Sequence, residues 1–348
     1  ALGLIAGYLY TPFYSGWLAD TVPSTIRARF TSRQTIVSQV CGVVAGISAG
    51  WFVDYFPPDD QTMAFVIIFA VATLFGWGGH LALSRAPYPH QTDEAPEEGN
   101  ILQKIILPFR DIQFRHLLIY YASWNLAVGV ASPLFSVYML DRLGFSYTAI
   151  ALLNGLGVVS TIVGYRVWSS LIDRFGGKPV AQILLIPAAL NAILWGLCQP
   201  GNFAMVTVAM LIAGFVMSGI NVSITPMLYG LLPEANQERR VSYLASWSTC
   251  INLISAIGPI AGGIMVASLA GYQTTIWGFT LGDINLMFMI SCVLRFVPSF
   301  LIRKVSNNMS DTSSRSLLSQ IFQGNLFSYA FHNIMLNVVT REESRAKS

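Results

Sequence analysis

Charge is what this sequence is short of. Of its 348 residues only 11% are Asp, Glu, Lys or Arg, against about 25% in an average soluble domain. The shortage is also local. The first 19 residues carry no charge, and neither does the chain between Lys178 and Glu234 or between Arg240 and Asp283. So little charge excludes a disordered chain, a nucleic-acid binder with a basic patch and almost every soluble enzyme. Cysteine is scarce too. Cys41, Cys198, Cys250 and Cys292 lie in or beside apolar runs with no CxxC pair, which leaves neither a disulfide framework nor a metal site. Embedded carboxylates are missing: the 17 acidic residues fall in connections, in the tail or at the ends of apolar runs, with Asp54 and Asp283 the nearest to an interior. His80 does lie in an apolar run, but close to Arg85, where packing or headgroup contact explains it better than a proton relay. No P-loop, HExxH, nucleophile elbow or dinucleotide glycine motif occurs. No enzyme activity, no metal and no cofactor are expected.

What is there is hydrophobic length. Apolar residues make up 54% of the chain, and the mean hydropathy is +0.57. Nine runs are long enough for a hydrocarbon core of about 30 Å: 1–19, 34–54, 62–84, 115–140, 147–168, 179–198, 203–230, 243–268 and 281–302. None alternates as a strand would. A helix satisfies its own backbone in lipid, so the expected fold is all-α, a polytopic helical membrane protein with nine visible spans.

Basic residues sort the connections. Segments 20–33, 85–115, 166–178 and 232–242 and the tail from Arg303 hold 18 of the 20 Lys and Arg residues. The alternate connections 55–61, 141–146, 199–202 and 269–280 hold only Arg142, and Arg295 lies within a span. By the positive-inside rule the rich side is cytoplasmic. That puts the N-terminus outside and the C-terminus in the cytoplasm, and it suits a plasma (inner) membrane of bacterial type. Segment 86–100, APYPHQTDEAPEEGN, is the one long polar linker. It divides the spans three and six: 1–85 holds three, 86–114 is a cytoplasmic linker, 115–304 holds six and 305–348 is a tail. An even split would be six and six, so three further spans are expected upstream of Ala1.

Several stretches carry a family resemblance. Ser169-x-x-x-Asp173-Arg174-x-Gly176-Gly177-Lys178 resembles the loop motif G-x-x-x-D-R-x-G-R-K of the major facilitator superfamily, with Ser169 and Gly177 as departures. It follows the fifth visible span, where the motif's second copy belongs if three spans are missing. Trp17-x-x-Asp20-x-x-Pro23 with Arg27 and Arg29 is similar to the family's loop between spans four and five. Phe109-Arg110-Asp111 through Trp124-Asn125, Pro133 and Tyr138 is similar to the start of span seven. Gly258-Pro259-x-x-Gly262-Gly263 resembles a Gly-Pro helix-bending motif that antiporters carry in span five. Here the fifth-span position instead has Gly42, Gly46 and Gly50 and no Pro, so antiport does not follow. The resemblance covers about residues 1–304. It implies a transporter of two six-span halves with alternating access. It also implies that Asp173 couples the cytoplasmic ends of the halves, against the helix that begins near Arg33 and Gln34.

Polar residues inside spans point to a solute path, because hydrocarbon penalises them. Asn125, Asn154, Asn191, Asn221 and Asn252 each lie in a different C-terminal span; interhelical structural bonds are the competing explanation. Tyr10, Tyr14, Gln39, Trp124 and Trp247 add aromatic and polar candidates, although Trp and Tyr also anchor span ends. Arg295 either binds an anionic group of a solute or snorkels to cytoplasmic headgroups. Gly42, Gly46 and Gly50, four apart, read as a sliding face or as plain close packing. In the tail, apolar positions from Leu317 to Val338 recur at helical spacing, broken at Gly324-Asn325, which fits a surface amphipathic helix. The expected function is secondary transport of a small organic solute by a monomer in a lipid bilayer, with no nucleic acid involved. A non-transporting assembly factor or sensor is the alternative, which the missing carboxylates and the long tail favour.

Overall fold

The structure, a computed structural model, describes residues 21, 24–85, 106–233, 237–276 and 279–306. The first expected span with Tyr10, Tyr14 and Asp20, most of the linker and the tail helix lie outside the described residues. So do the side chains of Arg27 and Arg29, whose backbone is helical.

The helices are α1 (Ser24–Tyr55), α2 (Gln61–Ser84), α3 (Ile112–Gly129), α4 (Leu134–Val137), α5 (Tyr147–Phe175), α6 (Gly177–Gly196), α7 (Phe203–Tyr229), α8 (Gln237–Ser268) and α9 (Asp283–Leu301). Eight segments are long and apolar enough to cross a membrane, and each overlaps one expected span. The fold is that of an all-α polytopic membrane protein. One departure is a short antiparallel ribbon, β1 (Gln273–Ile276) paired with β2 (Phe279–Gly282), in the connection between α8 and α9. The other is a break in the span at 115–140, where α3 stops at Gly129 and α4 begins after Pro133. Pro133 has no N–H to continue the ladder. The chain turns instead, with the amides of Ala131 and Ser132 both donating to the Val128 carbonyl and the Ser132 hydroxyl donating to Gly129 O.

The described residues form two compact units, 1–98 with 145–155, and 99–144 with 156–348. Helix α5 thus gives its first turns to unit 1 and the rest to unit 2. In unit 1, α1 meets the start of α5 along one face. A Cβ on Gly50 would lie 2.8 Å from Tyr147 O, and one on Gly155 3.1 Å from Val43 Cγ1. Phe65 of α2 packs edge-on against Tyr147, with ring centroids 5.5 Å apart. Asp54 closes the contact, its carboxylate accepting from the Tyr147 amide at 2.9 Å and the Thr148 amide at 2.7 Å. Gly42 and Gly46 meet nothing. The remaining faces of α1 and α2 expose Val44, Phe69, Leu74, Phe75 and Trp77, as lipid-facing helices do.

In unit 2, α6 packs between α7 and α9, and α3 between α8 and α9. Trp168 on α5 ties that helix to α7 by donating to Phe215 O at 2.8 Å. The core runs from Phe114, Leu117 and Tyr120 on α3 through Leu184 and Leu185 on α6 to Ile220 on α7. Both ends of the bundle are tied by polar contacts. At the basic-poor end, buried Asn285 donates to Tyr138 Oη at 2.8 Å and Gly196 O at 2.9 Å, while Tyr138 donates to Cys198 O at 2.6 Å. Arg142, the one basic residue of those connections, pairs with Asp283 at 2.8 Å. At the basic end, Asp111 caps α3 by accepting from the Gln113 and Phe114 amides and accepts from Tyr243 Oη of α8.

Candidate functional site

Three helices of unit 2 bring aromatic and amide groups to one place. On α3, Tyr121 and Asn125 are one turn apart and therefore share a face. Asn125 Nδ2 donates to the Tyr121 carbonyl at 2.7 Å, which fixes the amide beside the ring. On α8, Trp247 stacks on Tyr121 with centroids 5.5 Å apart and planes 13° from parallel. Phe114 braces Trp247 edge-on at 6.3 Å. On α7, Asn221 accepts from Tyr121 Oη at 3.4 Å. Tyr121 and Asn125 are half-buried and Asn221 is exposed, so the group is reachable. It holds two carboxamides, a phenol and an indole, and no ionised side chain. Carboxamides and the phenol both donate and accept hydrogen bonds, and the rings add an apolar wall. Such a set suits a neutral polar molecule.

The other candidates lie elsewhere. Trp124, three residues after Tyr121, turns into the core and is buried. Asn191 is buried on α6, its Oδ1 without a hydrogen-bond partner. Asn252 is half-buried on α8, and Asn154 is exposed on the part of α5 that belongs to unit 1. Gln39 is half-buried in unit 1, one turn before Val43 on the face of α1 that meets α5. Arg295 is 1% exposed, and its Nη1 donates to Ala188 O of α6 at 2.8 Å. Its side chain therefore ends inside the bundle rather than reaching for headgroups. Tyr121 is the residue that sequence reading passed over. Its signal was the one-turn spacing to Asn125, which the neighbouring Trp124 masked.

Gly258 is buried on α8, and its function in packing is plain. A Cβ there would lie 2.9 Å from Gly129 Cα, and a Cβ on Gly262 would lie 2.0 Å from Val130 O. The backbones of α3 and α8 thus touch at the point where α3 breaks. Pro259 leaves α8 continuous. In the loop motif, Gly176 has φ +84°, a conformation that favours glycine. Gly177, the departure from the motif, starts α6 against α7: a Cβ would lie 2.3 Å from Ser223 O. Lys178 Nζ donates to Val305 O at 2.6 Å and Arg303 O at 3.3 Å, holding the end of α9. Arg174 lies over the Phe175 ring at 5.0 Å, and Asp173 is exposed.

The model of a family described as MFS/sugar transport protein matches residues 1–302. The chain belongs to this family. It is an integral membrane protein of the major facilitator superfamily, and its cargo is a solute. A search of curated proteins gives no match.

Proposed function

We propose that this major facilitator protein moves a small neutral, hydroxyl-rich organic solute by alternating access between two helical halves. The observation that carries the reading is the Tyr121–Trp247 stack joined to Asn125 and Asn221. Hydroxyl groups need partners that donate and accept, which carboxamides supply. The apolar faces of such a solute need a ring wall, which mostly apolar ligand sites provide. The sugar transport named by the family fits this chemistry. The break at Val130–Pro133, pressed against Gly258 and Gly262 beside Pro259, serves as the pivot. Asp173 and Arg174, with Asp20, Arg27 and Arg29 on the other half, act at the basic end, which faces the cytoplasm. The protein works as a monomer.

The test is uptake by purified protein in proteoliposomes, with a panel of labelled neutral sugars and polyols. Flux above protein-free vesicles is expected for at least one solute. Trp247→Ala and Asn221→Ala should each weaken its apparent affinity about tenfold, the effect of about 1.4 kcal/mol, with unchanged circular dichroism. Flux that is indifferent to both substitutions would remove the site. No flux for any solute would leave the non-transporting reading.

A further inference from the structure

Helices α3 and α8 lie side by side and run in the same direction, away from the basic end. Three contacts along them fix the register. Asp111 meets Tyr243, Tyr121 meets Trp247, and Gly129 meets Gly258, where a Cβ would lie 2.9 Å from Gly129 Cα. The two ends of this interface are built differently. At Gly129 and Gly258 the backbones touch, which leaves no room to adjust. Towards the basic end, aromatic side chains fill the space between the helices.

These rings form a column. Tyr243 and Trp247 are one turn apart on α8, and Phe114 and Tyr121 two turns apart on α3, so each pair shares a face. Phe114 meets Tyr243 edge-on at 5.0 Å and Trp247 at 6.3 Å. Trp247 stacks on Tyr121, and Tyr121 reaches Asn221. The column therefore runs unbroken from the solute site to Tyr243. Edge-on and offset-stacked pairs are both favourable, so ring contacts alone leave the column a choice of geometry. A hydrogen bond is directional, and the column has one at each end. At the solute end the bond is 3.4 Å long and its acceptor is a neutral amide. At the other end Tyr243 Oη donates to Asp111 Oδ2 at 3.2 Å, and a carboxylate holds a donor more strongly than a neutral oxygen does. Asp111 is itself held, because its Oδ1 accepts from the Gln113 amide at 2.8 Å and the Phe114 amide at 3.4 Å. One oxygen caps α3 and the other holds α8.

We propose that Asp111 is a positioning residue for the solute site: by holding Tyr243 it sets the ring column, and with it the angle at which Trp247 lies on Tyr121. This rests on the solute reading of that site. Asp111 is ten residues from Tyr121, about 15 Å along α3, so it acts through Tyr243, Phe114 and Trp247 and does not touch the solute. The backbones stay fixed at Gly129 and Gly258. Loss of the bond therefore frees the part of α8 nearer the basic end, and the Trp247 ring turns with it.

The experiment labels the full chain with fluorotryptophan and reads the Trp247 fluorine resonance in detergent, without solute; Trp247→Phe identifies the signal. Tyr243→Phe keeps the ring and removes the hydroxyl. Asp111→Ser keeps a capping side chain and removes the carboxylate. Each should move the Trp247 resonance and leave those of Trp168 and Trp195, which are buried elsewhere in unit 2, in place. In proteoliposomes each should raise the KM for whichever of labelled glucose, sucrose and sorbitol is carried about fivefold, the effect of about 1 kcal/mol, with the maximal rate near that of wild type. A bond that only stabilises the bundle would lower the unfolding midpoint and leave both the resonance and KM unchanged, which would overturn the proposal. A moved resonance with an unchanged KM would overturn it too. No flux of any of the three solutes through wild type would remove the solute reading and the proposal with it. Flux with a Trp247 resonance indifferent to both variants would remove the proposal alone.

Discussion

Asp54 offers the sharpest quantitative test of how α5 is held in unit 1. Its two oxygens take the amides of Tyr147 and Thr148, two of the donors that a helix start leaves unpaired. Ser146 Oγ takes a third, the amide of Ala149. The carboxylate thus caps a helix 93 positions further along the chain. Losing a side-chain cap costs about 0.5–2 kcal/mol, and a charge at a helix start contributes about 0.3–1 kcal/mol when exposed. Asp54 is exposed, so water can replace part of what is lost, and about 1 kcal/mol is the expected effect of Asp54→Ala. That is a change of about fivefold in a two-state ratio. Asp54→Asn keeps one acceptor and loses the charge, so it should fall between. The assay is pulsed electron resonance in nanodiscs, with spin labels at positions 51 and 152 in a cysteine-free background. A population with a longer label distance should grow about fivefold in Asp54→Ala and less in Asp54→Asn. An identical distance distribution in wild type and Asp54→Ala would refute the reasoning, because the Gly50 and Phe65 contacts alone would then hold the helix.

Other substitutions test the packing of unit 2 and the orientation of the chain. Gly262→Ala drives a methyl group into the Val130 carbonyl, and overpacking costs about 1–3 kcal/mol; its unfolding midpoint should drop while the neighbouring open position, Gly263→Ala, stays near wild type. Asn285→Leu removes the donor to Tyr138 and Gly196 and leaves buried acceptors unpaired, at about 1–3 kcal/mol, which thermal unfolding would read as a destabilisation. A single cysteine at position 59 should react with a membrane-impermeant maleimide only from the outside, given the concentration of Lys and Arg at the other end; labelling only from the cytoplasm would invert the topology.

Much of the fold was legible because its governing forces are local. Each of the eight described spans was readable as a long apolar run with two charges at most, and the loop motif with Asp173, Gly176 and Lys178 pointed to the superfamily. The ribbon at 273–282 was not legible, since it has no long alternation and sits in a connection. The site was legible only in pieces. Asn125, Asn221 and Trp247 were each visible as polar or aromatic residues in spans, but Trp124 looked equally good and is buried in the core. Tyr121, which joins the three, lies one turn before Asn125, a spacing that the neighbouring Trp124 masked. The capping carboxylate expected at Asp173 has a close physical counterpart at Asp54, at the opposite end of α5.

By itself the sequence determined that the chain enters a membrane, where its helices lie and which ends carry the basic residues. These depend on runs of about 20 residues and on hydrogen bonds four residues apart, both written along one dimension. Only the tertiary structure decided which residues meet. Tyr121 finds Asn221 across 100 positions, Gly50 meets α5 while Gly42 and Gly46 meet nothing, and Arg295 turns into the bundle. The reason is the solvent. Lipid tails are as apolar as the helix surfaces, so no hydrophobic force tells one apolar face from another. Association rests instead on close fit at small residues and on a few polar bonds, and these depend on ångström-scale register between helices that a one-dimensional pattern does not record.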